Sequence, residues 1–414
     1  MMAGLGATGR RFIGGLLLLF LSAVALAHES AHAAHAPAAP RHDMAKMWAD
    51  NLSRAAGTGV SVAADENGGL WLARMQGGHI LVSRSDDGGK SFPAGVKVNP
   101  LPEGILADGQ NRPKIAVRGG VVAVLWAQAL PRVFAGHIRF ARSLDGGNTF
   151  SEPQTINDNR EEIGHGFPAL AMRDGGRIAI AWLDAREKSA SSMADRKYVG
   201  SAVYYAVSDD AGATFAGNKK LADHSCECCR VALAFDNDGV AVAFWRHVFG
   251  ANVRDFALAR LEAQGRLQRA SEDNWEISAC PHHGGDIAID AEGGRHMVWF
   301  TGNPQRAGLF YRRADGTRMG APRAFGDPDA QAGNPAVFVR GKSVHIAWRE
   351  FDGQRYRLMG MNSDDRGESW SPARTLGSSA GAADLPLFVA GAGRPLLVWS
   401  SAAEGVRLFD MDIF

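Results

Sequence analysis

The chain has 414 residues, 46% of them hydrophobic, with 50 glycines and a formal net charge of +1. Such a length buries a large core, and abundant glycine with moderate charge points to many short elements joined by tight turns. The charge balance supplies neither the basic surplus that a phosphate backbone attracts nor an acidic tail, which argues against nucleic acid as a partner.

In chain order, Arg10 and Arg11 precede an apolar run from Phe12 to Leu26 that closes on the small-residue string Ala25-Leu26-Ala27. This is the pattern of a secretory signal peptide over residues 1–27, and the run is short for a membrane span. A periplasmic or secreted protein is expected, without stable membrane insertion after signal cleavage. Residues 28–58 form a low-complexity leader rich in histidine and methionine, expected to be disordered over its first part. Its His28, His32, His35, His42, Met44 and Met47 are donors suited to a soft or borderline cation such as copper.

From residue 59 to the C-terminus the sequence repeats at a spacing of 49 to 63 residues, the range of propeller blades. Seven units open on short apolar strands starting at Val60, Lys114, Pro168, Val231, Asp286, Pro335 and Pro386. Each continues through a glycine-containing turn into a second strand that usually carries tryptophan, as in VAVLWAQ and IAIAWLD. Aromatic and β-branched runs of this length, punctuated by Gly and Asp, read as strands. The fold class is therefore all-β, a seven-bladed β-propeller, with six blades as the alternative. The seventh unit supplies three strands, and a strand from Trp48 to Arg54 is expected to close the ring.

Third strands run into a recurrent turn, S-x-D-x-G-x-[ST]-[FW], at Ser85, Ser143, Ser208 and Ser363. The Asp accepts backbone N–H bonds, the Gly takes a positive φ and the aromatic residue plugs the blade edge, so Asp87, Asp145, Asp210 and Asp365 are turn-builders. On these turns and strands the chain resembles the sialidase-like Asp-box (BNR repeat) β-propellers over about residues 59–413. The resemblance implies that these turns lie on the rim opposite the functional face. The units opening at Val231 and Asp286 keep the strands and lose the turn motif.

In a four-stranded blade the connections between blades, and those between second and third strands, open on one face. All four cysteines fall there: Cys226, Cys228 and Cys229 in HSCECCR at the opening of the fourth blade, and Cys280 in SACPHHGG at the opening of the fifth. Consecutive blades make the two segments neighbours, with His224, His282, His283 and His165 close by. Outside the cytoplasm, disulfide staples are one reading. The other is a transition metal, copper ahead of zinc, held by Cys226, Cys228, Cys229, Cys280, His224, His282 and His283.

The same resemblance implies an alternative, an exo-sialidase or another glycoside hydrolase or glycan-binding propeller acting on a small anionic or glycan ligand. That chemistry uses arginines to clamp a carboxylate, a tyrosine nucleophile paired with a glutamate, and an aspartate acid/base. Arg246, Arg254, Arg349, Glu350 and Asp184 fall on the expected ligand face. The closest string to the family's N-terminal Arg-Ile-Pro signature is NRPK at Asn111–Lys114, in the second unit, and none of the five tyrosines stands in the nucleophile's context. Arg246 and Arg349 are expected to pair with carboxylates at the channel mouth.

Overall fold

A computed structural model describes residues 59–195, 197–262, 265–391 and 394–413. The signal peptide, the His/Met-rich leader and the closing strand expected at Trp48–Arg54 lie outside the described residues. The described chain forms seven antiparallel sheets in sequence order, a seven-bladed β-propeller.

The first strands, lining the ring's axis, are Ser61–Ala64, Lys114–Arg118, His165–Met172, Ala232–Phe235, Asp286–Ile289, Gly333–Arg340 and Leu387–Gly391. All seven fall where the repeat places them. Second strands carry one tryptophan each, Trp71, Trp126, Trp182, Trp245, Trp299, Trp348 and Trp399, all buried. Ile178–Asp184 and Ala241–Arg246 are buried at every position. A middle strand has a neighbouring blade against each face, so its sequence reads as a continuous apolar run rather than an alternation.

Seven apolar clusters fill the seven gaps between blades. One of them joins the ends of the chain, packing Val62, Leu70 and Leu72 of the first blade against Val389 and Val398 of the last. Ring closure thus rests on side-chain burial of the same kind as that between the other blades. Each fully buried large apolar side chain contributes about 1.5–3 kcal/mol.

The four S-x-D-x-G-x-[ST]-[FW] turns share one geometry. Ser143 Oγ donates to Asp145 Oδ1 at 2.7 Å, Gly147 N donates back to Ser143 Oγ at 2.9 Å, and Thr149 N donates to Asp145 Oδ1 at 3.0 Å. Asp87, Asp210 and Asp365 repeat the arrangement. Glycine is required in the turn: Gly212 has φ of +80°, and a Cβ there would lie 2.5 Å from the Phe140 ring of the preceding blade. The closing aromatic packs on that same blade, Phe215 meeting Phe140 edge-on at 5.0 Å.

Two features of the ring were not anticipated by the repeat. The blade-three connection between second and third strands contains a helix, Arg186–Met193. And the segment Gln110–Arg112, opening the second blade, forms a hub across the axis. Arg112 donates to Val60 O and Leu385 O, at 3.1 and 3.0 Å, and pairs with Asp384 at 3.0 Å. Asn111 Oδ1 accepts from Phe167 N at 2.7 Å, and Gln110 reaches Arg230, Gly284 and Asn334. Three consecutive side chains therefore touch the other six blades.

Candidate functional site

The blade-three strand Lys219–Ser225 delivers the chain to the ring face, where Cys226 N donates to Arg246 O at 2.9 Å. A tight turn at Glu227 and Cys228 then folds the CxCC string back on itself, and Arg230 N is fixed by Gln110 Oε1 at 3.1 Å. This places Cys226 Sγ 3.8 Å from both Cys228 Sγ and Cys229 Sγ. The three residues are only 1%, 4% and 1% exposed, with Phe167 packed against them. All three sulfurs lie within 4.8 Å of one another, a set that can hold a metal ion.

All four cysteines are free in the structure. A disulfide would bring two sulfurs to about 2.05 Å. The observed separation fits a metal instead: a tetrahedral ion with bonds of about 2.3 Å to sulfur keeps its ligands about 3.8 Å apart. Cys280 is exposed and is not among the three residues whose sulfurs lie within 4.8 Å of one another.

Charge at the cluster is shaped by its neighbours. Hydrogen bonds from Cys228 and Cys229, then the guanidinium groups of Arg246 and Arg254, hold the Cys226 thiol far below its ordinary range. Burial pushes Cys229 up to about 12, and donation to its neighbours raises Cys228. The contact with Cys228 draws Cys280 down to about 7.

The histidines expected as ligands are not among the three residues whose ligand atoms gather within 4.8 Å of one another. His224, at φ +55°, lays its ring on Tyr198 at 4.5 Å and turns Nδ1 to Val199 O. His282 is exposed. His283 stacks on Phe300 at 4.2 Å, and its burial beside Arg246, Arg349 and Arg230 lowers its pKa to about 3, keeping it neutral. His165 Nδ1 donates to Gly136 O, 2.8 Å away, in the next connection round the ring.

The residues weighed for catalysis are placed on the face but engaged in holding it together. Arg246 donates to the backbone carbonyls of Arg254, His283 and Phe300 and lies between the rings of Phe256 and Trp275. Arg349 donates to Ala383 O and stacks on Tyr356. Both were expected to meet carboxylates; carbonyls take that place because the connecting loops turn their orphan oxygens inward. Asp184 accepts from Trp182 Nε1 at 2.9 Å and from Arg186, and Glu350 accepts from Trp348 Nε1 at 2.8 Å and Asp327 N. Arg254 is the one brought to the cysteines, with Nη1 3.2 Å from Cys226 Sγ.

Sequence reasoning missed Gln110. Its Oε1 accepts from Arg230 N at 3.1 Å and from Gly284 N at 3.3 Å, so one oxygen ties the two cysteine-bearing segments together. Its place directly before NRPK was the available signal. Around it the mouth of the ring is positive: the guanidinium groups of Arg112, Arg230 and Arg349 share it with Lys114, Asp286 and Asp384. Burial raises both aspartates and drives Lys114 well below its ordinary range. Arg230 Nη1 is buried without a protein partner among the described residues. Further down the axis lies a cavity of about 170 Å³ walled by Val62, Ile115, Val117, Met172 and Val389, away from the cysteines.

No protein-family model and no curated protein matches the chain. Solved structures do. An ulvan lyase of polysaccharide lyase family PL25, bound to -[GlcA(1-4)Rha3S]-, aligns at TM-score 0.53 and 11% identity, over 86% of this chain and 94% of that one. The BP39L lectin from Burkholderia pseudomallei aligns at TM-score 0.53 and 11% identity, over 85% and 98%. The polysaccharide lyase Uly1 aligns at TM-score 0.53 and 9% identity, over 86% and 90%. These are glycan-active β-propeller proteins, and at such identities the likeness is one of fold.

Proposed function

We propose that this chain is an extracytoplasmic glycan-directed propeller of sialidase-like architecture that binds an acidic sugar at the mouth of its ring. The observation that carries the reading is the surplus of buried positive charge at that mouth, including an Arg230 nitrogen with no protein partner among the described residues. A carboxylate or sulfate suits a guanidinium, which offers paired donors in a planar fork. The fold neighbours that cleave or bind glycans support the same reading and favour it over copper handling as the protein's overall role. No described helix is long and apolar enough to cross a membrane.

Binding is the proposed activity rather than hydrolysis, since Arg246, Arg349, Asp184 and Glu350 are committed to carbonyls, indoles and loop amides. Calorimetric titration with uronate-containing, sulfated, sialylated and neutral oligosaccharides tests it. Binding confined to the acidic sugars and lost in Arg230→Met is expected; no heat with any acidic sugar sinks the reading. Release of a fluorescent aglycone from a sialoside would instead restore the exo-sialidase alternative.

A second reading concerns the cysteines and is favoured by the 3.8 Å sulfur separations. Cys226, Cys228 and Cys229 hold a soft cation, copper(I) ahead of zinc, within the same face. Arg254 and Arg246 offset the negative charge that such a centre carries. Metal content of protein purified from the periplasm is the test, against a Cys228→Ser/Cys229→Ser variant. Equal and negligible metal in both removes this reading without touching the glycan one.

A further inference from the structure

A guanidinium is held against the three-sulfur group. Arg254 lies in the blade-four connection between second and third strands, where its amide donates to Trp275 O at 2.8 Å and its carbonyl accepts from Arg246 Nη1 at 3.0 Å. The side chain is fixed as well. Its Nε donates to Asn252 Oδ1 at 3.2 Å, and its Nη1 donates to Cys226 Sγ at 3.2 Å. Asn252 is anchored in turn, Nδ2 donating to Ser278 Oγ at 3.1 Å. The guanidinium therefore points at sulfur with little freedom to leave it.

Those two side-chain contacts are to an amide oxygen and a sulfur rather than a carboxylate. The cation is thus directed at the cysteines. Cys226, Cys228 and Cys229 keep their sulfurs within 4.8 Å of one another and are almost wholly buried, so charge formed there is screened little by salt and water. Three thiolates carry three negative charges; a divalent ion leaves one of them uncompensated, and a monovalent ion leaves two. Coulomb energy scales with the product of the charges, so a fixed positive group stabilises the monovalent centre about twice as much.

Resting on the metal reading above, we propose that Arg254 sets the valence selectivity of the three-sulfur site, favouring a monovalent soft cation, copper(I), over divalent zinc. Donor number points the same way. Zinc takes four ligands in structural sites, whereas the described residues gather three sulfurs, a number that satisfies copper(I). Binding exchanges protons for metal: the ion bonds to the sulfurs, the thiol protons leave to solvent, and no electron is transferred. Arg254 contacts a ligand of the ion, so it acts through Cys226 as a positioning residue.

The experiment uses the full chain in two equilibrium competitions, copper(I) against a coloured copper(I) chelator and zinc against a coloured zinc chelator, with Arg254→Met and Arg254→Lys alongside. Arg254→Met, which keeps bulk and drops the charge, is expected to weaken copper(I) retention by about 10–100-fold, the scale of a group that supports a ligand. Zinc retention should weaken by only about the square root of that factor, about 3–10-fold, because half the net charge is involved. Arg254→Lys restores the charge and should recover the larger part of the copper(I) preference. Equal losses for both ions make Arg254 a structural support, no loss makes its charge irrelevant, and a larger loss for zinc reverses the sign; each overturns the proposal, as does a lysine variant no better than the methionine one. An unaltered chain that binds neither ion removes the metal reading and the selectivity with it.

Discussion

Arg254 Nη1 donates to Cys226 Sγ across 3.2 Å, linking a loop of the fourth blade to the first sulfur of the cluster. With the contacts to Cys228 and Cys229 and the charge of Arg246, it pulls the Cys226 thiol below its ordinary range. Arg254→Met removes a charged donor and retains bulk. We expect the thiolate absorbance of metal-free protein to rise at higher pH, its midpoint moved up by about one pH unit. An unchanged titration would mean that the neighbouring thiols alone set the charge.

Gln110 offers a sharper test of how the site is assembled. Gln110→Ala leaves the amides of Arg230 and Gly284 buried without their acceptor, at about 1–3 kcal/mol for each. Lower denaturant midpoints are expected, together with about 10–100-fold weaker metal retention, the usual scale for a group that orients ligands. Gln110→Glu keeps the accepting oxygen and should recover most of the retention, measured by chelator competition.

Acid sensitivity should come from the recurrent turns. Side-chain and backbone donors hold Asp145 and Asp365 at about 2, below the ordinary 3.8. The folded value is the lower one, so the stabilisation is complete above about 3.8 and is lost as pH falls through about 2. Thermal unfolding followed from pH 5 to pH 2 should show this decline, and Asp145→Asn should flatten it. Equal slopes for both proteins would refute the assignment.

Among the blade tryptophans, Trp245 is the exception. Trp182 gives its indole N–H to Asp184, whereas Trp245 Nε1 has no partner among the described residues. In blade four the position two residues on is His247 rather than a carboxylate, and burial lowers its pKa to about 4. Trp182→Phe should therefore cost about 1 kcal/mol more than Trp245→Phe in urea denaturation, the scale of one buried hydrogen bond. The reverse order would indicate that the blade-four indole is satisfied by water.

The sequence carried the ring clearly because blades repeat: seven apolar starts, a tryptophan in each second strand and four turn motifs all report the same period. It also carried the meeting of the two cysteine segments, since connections into consecutive blades open side by side. What it did not carry depends on irregular backbone. Gln110 lies in a long connection with no periodicity to mark it. The helix Arg186–Met193, REKSASSM, has no apolar face to betray it. Arg246 and Arg349 have the composition of a carboxylate clamp, and only the paths of the loops show their guanidinium groups turned to carbonyls. His224 sits two residues from Cys226, but a positive φ sends its ring to Tyr198.

Arg112 gains its final acceptor, Leu385 O, 273 residues further along the chain. At about 5–20 residues per second of synthesis, that separation is about 15–55 seconds. Throughout that interval the first blades are made while the hub guanidinium still lacks Asp384, the anion it is built around. The ring therefore cannot mature blade by blade at its centre. The Arg112–Asp384 pair forms only when the last blade docks, and a chain cut short before it should remain open, hydrated and exposed to proteases.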